Sequence, residues 1–461
     1  MAPVNIDMLP HASPRIPVLG DITSIDRHRP TQHEAKLVEQ LGEIYERKVL
    51  STRLTIVGSA RLAQSCSSEQ SWARALAGPG LKLRQIGGSG MFTARTADPL
   101  WSQARAALNP GFAQGAMRAY HDAMNSVGDD VVAAWSRTDG SGATIAVHEA
   151  MTNATLETIA RAAFSRPLGL YGSEGADAEA ENLIATLGSI LRWASESSNN
   201  ISVIGAIRSR INQARFADGL ARLRRFIDEL VSERQEGRST GRADLLDLML
   251  TGDHQLPATN IRDQVMTFLI AGHETTAALL ETALWYLADR PDLLHAIRDE
   301  ALARGFGYES VAGMRRTRQV LNEVLRLWPP VPAYFRIARE AQSLGGFDIP
   351  AGHLVSVLVL AAHRDPQAWG PDAHGFTPER WRPAALRAHP DRFFSPFGTG
   401  PRSCIGRAFA MQEATLLIAR IALDFDLAFP SGIERGTAPV MLERGTLRPA
   451  PYELVARRIS E

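Results

Sequence analysis

Cysteine and lysine are the scarcest chemically versatile residues in this chain. Only Cys66 and Cys404 occur among 461 residues, so at most one disulfide can form and a disulfide-built scaffold is excluded. The N-terminus MAPVNIDMLPHASPRIPVLG lacks the basic-then-apolar order of a signal peptide. A reducing, cytoplasmic compartment is therefore expected. Lysine occurs only at Lys36, Lys48 and Lys82, and the arginine that replaces it reads as codon usage rather than phosphate recognition. Basic and acidic residues balance at 50 each, with no Lys/Arg-rich tail, so nucleic acid is not an expected partner. No apolar run approaches the roughly 18 residues that span a bilayer, and no membrane anchor is expected. Repeats, low-complexity tracts and long Pro/Gly/Ser linkers are also missing.

What is present is a composition with 45% hydrophobic residues, enough for a large core. Met117, Tyr120, Met124, Val127, Val131 and Trp135 recur at steps of three or four, as do Phe216, Leu220, Leu223, Phe226, Ile227 and Leu230. Each set is the apolar stripe of one helix. The second stripe runs into RQEGRSTGR, which reads as an exposed loop. A longer helix is predicted from about Ile261 to Leu287, stopped by ADRPD. Strand signals are confined to LTIVGS near residue 54 and VSVLVL near residue 355. The prediction is a mainly α single domain over 1–461 with a small β part, which fits this length best if a bulky cofactor fills its centre, residues 1–20 forming a flexible N-terminus.

Three familiar signatures fail by position. AGHETT offers His273-Glu274, but Ala277 stands where a zinc protease helix needs its second His. HRDPQAWG starts like a kinase catalytic loop, yet Gly370 replaces the required Asn. IGGSGMF lacks the strand and helix of a dinucleotide fingerprint. Cys404, in FGTGPRSCIG, is open to three readings: inert thiol, nucleophile or metal ligand. The loop supplies no His base, and zinc would need several more ligands. Glycines at 398, 400 and 406 permit tight turns that bring backbone N–H groups toward the sulfur. Arg402 can pair with a carboxylate. The helical GRAFAMQEATLLIARIAL that follows places the sulfur ahead of a helix N-terminus, where negative charge is favoured.

Phe397, Gly400, Arg402, Cys404 and Gly406 match the F-x-x-G-x-R-x-C-x-G loop, and the chain resembles the cytochrome P-450 superfamily of haem-thiolate monooxygenases. AGHETT resembles that family's oxygen-activating helix, Glu323 and Arg326 its E-x-x-R pair, FTPERW its following arginine motif, and Trp101 with Arg105 its W-x-x-x-R. Within the superfamily, FLIAGHETT, LRLWPPVPA and HRDPQAWG are similar to bacterial fatty-acid hydroxylases whose haem domain is fused to a flavin reductase.

The resemblance implies a P-450 fold with haem b between the long central helix and the Cys-loop helix, and Cys404 as the axial ligand of its iron. Arg402, Arg336, Trp101, Arg105, Phe397, Gly398 and Gly406 are then expected to hold the cofactor, with Arg339 competing for the place of Arg336. Ala271 and Gly272 leave room for oxygen, Gly272 loosening the helix so that a carbonyl can turn to water, while Glu274 and Thr275 relay protons. Alone, Thr275 reads equally as a back-bonded helix threonine, and Glu323–Arg326 as a surface pair. The resemblance makes Glu323, Arg326 and Arg380 a buried structural network. Phe92, Phe268, Ala271 and Val331 would line the pocket of a lipophilic substrate.

Where fused relatives hold a fatty-acid carboxylate with Arg and Tyr, this chain has Thr52 and Ile56, with Arg53 as a substitute. A specialised metabolite is therefore expected ahead of a fatty acid. The chain stops at Glu461, so a monomer is expected to take electrons from a separate NAD(P)H-driven ferredoxin or flavodoxin system. A peroxygenase or redox-neutral enzyme, and a non-catalytic haem protein, remain alternatives, and Cys66 reads as a structural thiol.

Overall fold

In the computed structural model, residues 4–95, 97–137, 142–171, 178–199, 203–237, 244–251 and 254–459 are described. Among them the chain forms two compact units, each assembled from separated stretches. One comprises 1–77 with 322–404, the other 78–321 with 405–461.

The first unit is built on a five-stranded sheet. Its strands are β1 (Ile44–Val49), β2 (Thr52–Val57), β3 (Trp72–Ala75), β4 (Tyr334–Ala338) and β5 (Leu354–Val357), in the order β1-β2-β5-β4-β3. β1 and β2 form an antiparallel hairpin, β2 runs parallel to β5, and β4 is antiparallel to both of its neighbours. Val57, Val355 and Val357 bury their branched side chains with Trp72, Trp369 and Phe393, as a pleated half-buried surface favours.

Both predicted strands are present, although VSVLVL turns helical at Val359–Ala362. The confinement of strands to two places is overturned. β1 carries Glu46, Arg47 and Lys48, and the first two are buried. Ion pairs make this possible: Arg15 reaches Glu46 at 2.7 Å and Arg47 reaches Glu34 at 2.6 Å. Charge that looks solvated in the sequence is neutralised by residues outside the strand.

The second unit is helical. Gln114–Trp135, Val147–Phe164, Ala258–Asp289 and Arg407–Asp424 pack together. The stripe from Met117 to Trp135 is buried as expected. In Val203–Gln235, Leu220, Leu223, Ile227 and Leu230 are buried, while Phe216 stacks on Trp193 with ring centroids 4.1 Å apart. Residues 238–242 of the expected RQEGRSTGR loop lie outside the described residues. The long helix Ala258–Asp289 ends two residues before Pro291, whose ring disfavours helical geometry in the intervening Arg290. No helix among the described residues is long and apolar enough to cross a membrane.

Candidate functional site

In the first unit, the chain from Phe397 to Cys404 is a tight loop. Gly398 and Gly400 have φ of +72° and +66°, a region that side chains with a Cβ resist. A Cβ on Gly400 would also come within 2.7 Å of Glu69. Gly406 has φ −83°, so its freedom is not used, and the expectation of three permissive glycines reduces to two. Backbone bonds from Gly398 N to Ser395 O, Ser403 N to Gly400 O and Cys404 N to Phe397 O, at 3.2, 3.0 and 2.8 Å, pin the loop. Arg402 closes its one 3-10 turn.

The two thiols differ sharply. Cys404 is exposed, while Cys66 is buried and pushed up to about 12 by burial. Among the described residues no group of three or more His, Cys, Asp or Glu can hold a metal ion.

Arginines gather in the same unit. β3 and β4 place Arg74 directly opposite Arg336, a like-charge pair that destabilises a sheet unless an anion compensates it. Arg336 is buried, pairs with Glu69 at 2.8 Å and donates to Thr399 Oγ1 at 2.9 Å. Its Nε is buried with no hydrogen-bond partner. Burial, then repulsion from Arg402 and Arg336, lowers Arg74 to about 9. An orphaned guanidinium N–H beside compressed positive charge fits a ligand carrying carboxylates. Arg339, the competing candidate, donates from an exposed position to Glu69 O. Sequence reading missed Arg74, because its meaning depends on a strand partner distant in the chain.

Glu323, Arg326 and Arg380 are brought together and buried. Glu323 accepts from Arg326 Nε and Nη2 at 2.9 and 2.8 Å, from Thr377 N at 2.9 Å and from Trp381 Nε1 at 2.9 Å. Arg380 Nε lies 3.5 Å from it. Arg326 also donates to the carbonyls of His363, Ala373 and Gly375. The surface-pair reading is excluded.

In the second unit, the long helix is buried from Gln264 to Ala288 except at Ala271, Gly272 and Thr275. This uncovered stripe comprises the positions that the AGHETT motif singled out. Phe92, Thr93, Thr267, Ile270 and Ala271, with Leu83 and Gly87, line an apolar cleft beside it. The hydroxyls of Thr93 and Thr267 both donate to main-chain carbonyls. Phe268 is buried, its ring 5.9 Å from that of Phe112. Val331 belongs to the first unit, where it is one of the few large apolar side chains left exposed. Trp101 and Arg105 stand one turn apart, half-buried, on the helix Pro99–Leu108.

Gly272 departs from expectation. The helix is continuous across it, and a Cβ there would lie 1.9 Å from Ile159 Cδ1. Close approach of Val147–Phe164 explains this glycine, and Thr155 Oγ1 bonds across the same helix pair to His273 O at 3.0 Å. Thr275 Oγ1 donates to Ala271 O at 2.8 Å, the back-bonded geometry open to any helix threonine. Glu274 is buried and salt-bridged to Arg448 at 2.8 Å, with Thr446 Oγ1 donating at 2.9 Å. Burial alone would raise its carboxyl, but Arg448, His273 and Thr446 hold it below the ordinary value. Arg448 was illegible in the sequence because nothing in TLRPAP marks it as a buried counterion.

An exposed thiol that could ligate a metal and buried arginines that could grip carboxylates would together suit haem, and a haem-thiolate protein is the class that this donor set fits. The cytochrome P-450 family model matches residues 10–454. The chain belongs to that family, and it has the fold and the haem b cofactor of its members. It is 32% identical over 454 residues to the bifunctional cytochrome P-450/NADPH-P-450 reductase 2 of Bacillus subtilis (strain 168), covering 95% of this chain and 42% of the relative. It is also 32% identical over 427 residues to a self-sufficient cytochrome P-450 monooxygenase of Phanerodontia chrysosporium, covering 90% of this chain and 40% of the relative. The chain thus spans about two fifths of the length of these relatives.

Proposed function

We propose that this chain is a haem-dependent monooxygenase that inserts one atom of dioxygen into a lipophilic small molecule, the other leaving as water, with electrons from a separate ferredoxin or flavodoxin system. When bound, haem with an axial thiolate supplies the electron push that favours O–O cleavage. Cys404 is the sulfur offered for that ligation, and Arg336, Arg74 and Arg402 hold carboxylates. Ala271 and the apolar cleft exclude water near the reacting position, which limits wasteful release of reduced oxygen. Glu274, ionised at rest beside Arg448, would take up a proton and hand it on, and Thr275 would carry it by exchanging its bond to Ala271 O for one into the space beside Ala271.

The observation that carries this reading is the apolar cleft ending at Ala271 on the one uncovered stripe of an otherwise buried helix, a stripe that also includes Thr275, with Glu274 next to it in sequence and buried against Arg448. Substrate class follows from the cleft. Its two hydroxyls are committed to backbone, so recognition there is by apolar shape. Arg53, the substitute carboxylate anchor, is held by Glu46 and by Asp7 at 2.7 Å. That supports a specialised lipophilic metabolite over a simple fatty acid. The test is turnover with a surrogate ferredoxin or flavodoxin system and NAD(P)H, compared with peroxide alone. Product only with electron donors supports the proposal, product only with peroxide supports a peroxygenase, and ligand binding without product supports a non-catalytic haem protein.

A further inference from the structure

Arg448, from the strand Leu447–Pro449, lies between two carboxylates two turns apart on the long helix. Its Nη1 donates to Glu274 Oε2 at 2.8 Å and its Nε to Glu281 Oε2 at 3.2 Å, while Nη2 also bonds Glu281 Oε1. All three side chains are buried, at 7% exposure for Arg448, 8% for Glu274 and 1% for Glu281. Thr446 adds a donor to Glu274, and Thr152 Oγ1 accepts from Arg448 at 3.3 Å. Other titratable groups face the cluster from neighbouring elements. His148 Nδ1 lies 3.7 Å from Glu281 Oε1, His273 Nε2 lies 3.8 Å from Glu274 Oε2, and the Tyr452 hydroxyl donates to Glu281 O at 2.5 Å. Arg444 and Arg192 act on His148.

One guanidinium cannot fully compensate two buried carboxylates, because the second charge stays uncancelled in a medium that solvates it poorly. One carboxyl must hold a proton. Glu274 has Arg448, His273 and Thr446 to keep it ionised. Burial pushes Glu281 up to about 8, against the pull of Arg448.

We propose that Glu281 is a positioning residue for Glu274: by competing for Arg448 it sets how firmly the Glu274 carboxylate is clamped, and so how readily that carboxylate takes up and releases a proton. The proposal rests on the reading of Glu274 as the relay acid. While Glu281 keeps its proton, the charge of Arg448 is left to neutralise Glu274 alone, although Nε and Nη2 still bond Glu281, and Glu274 stays ionised and fixed. When Glu281 loses that proton to bulk water, Arg448 is divided, and Glu274 becomes more basic and freer to move. The competing carboxylate, absent from the sequence motif, thereby gives this chain its own control over proton delivery.

The test is infrared difference spectroscopy of the holoprotein between about pH 6 and about pH 10, a window that brackets a raised carboxyl. The Glu274 band is identified as the carboxylate band lost in Glu274→Gln. In the wild type, loss of one protonated-carboxyl band and a shift of the Glu274 band should titrate together, and Glu281→Gln should abolish both changes. Glu281→Asp, which keeps a titrating carboxyl, should restore the coupled change. A Glu274 band unmoved while the carboxyl band disappears, or identical difference spectra in wild type and Glu281→Gln, would overturn the proposal. If Glu281→Gln does not accumulate as holoprotein, joint titration in the wild type still decides the question. These bands are read without turnover, so a protein that never oxidises substrate refutes the monooxygenase reading separately.

Discussion

Replacing Glu323 with alanine removes a fully buried carboxylate that accepts four hydrogen bonds and balances two arginines. The Arg326 guanidinium, itself fully buried, would keep the carbonyl oxygens of His363, Ala373 and Gly375 at 2.9, 2.5 and 2.9 Å and the face of Trp369, 5.2 Å from its ring centroid. Those dipoles orient the charge without neutralising it. Arg380 would keep Asp372 at 2.7 Å, a half-exposed partner. The loss should therefore match the ~3–5 kcal/mol for removing one member of a buried pair, because three carbonyls and Asp372 prevent a larger cost. An exposed pair would lose only about 0–1 kcal/mol. With a urea slope of about 1–3 kcal/mol/M, the unfolding midpoint of the holoprotein should fall by at least about 1 M. Haem content, read from the Soret absorbance per protein, should fall in parallel. A midpoint within a few tenths of the wild-type value, with full haem content, would refute the reasoning.

Thr275→Ala should retain fold and haem, but proton delivery should fail more often, so product per NAD(P)H falls and peroxide per NAD(P)H rises. Positioned acids contribute about 10²–10⁴-fold, part of which water in the cleft can replace; unchanged coupling would leave Thr275 as helix packing. Arg74→Gln should act in opposite directions on two measurements. Its guanidinium is depressed in the folded protein, so the unfolded state binds more protons and haem-free stability should rise with pH above about 9 in the wild type only. The variant should be the more stable haem-free protein at pH 7 yet lose haem faster to apomyoglobin. Equal haem loss would remove Arg74 from the carboxylate site.

Legibility in the sequence followed the distance between cause and residue. The long helix and the tight turns of the Cys404 loop carry their cause within a few positions and were readable from local pattern, whereas Glu323–Arg326 read alone as a surface pair and only the family resemblance pointed to its burial. β1 was not, because Glu46 and Arg47 look solvated until Arg15 and Glu34 are folded onto them. Arg74 acquires significance only when register sets it against Arg336. Glu281 reads as an ordinary helix glutamate until Arg448 arrives from the far end of the chain. Gly272 was read for helix weakness, whereas Ile159 on a neighbouring helix dictates it.

The assignment of the haem sulfur is the claim on which the rest depends, and the carbon monoxide difference spectrum of the reduced protein tests it most directly. A thiolate ligand gives a characteristically red-shifted Soret band. The band should be present in the wild type and in Cys66→Ala, whose thiol is buried and held protonated, and absent from Cys404→Ala. A wild-type band in Cys404→Ala, or its loss in Cys66→Ala alone, would contradict the account.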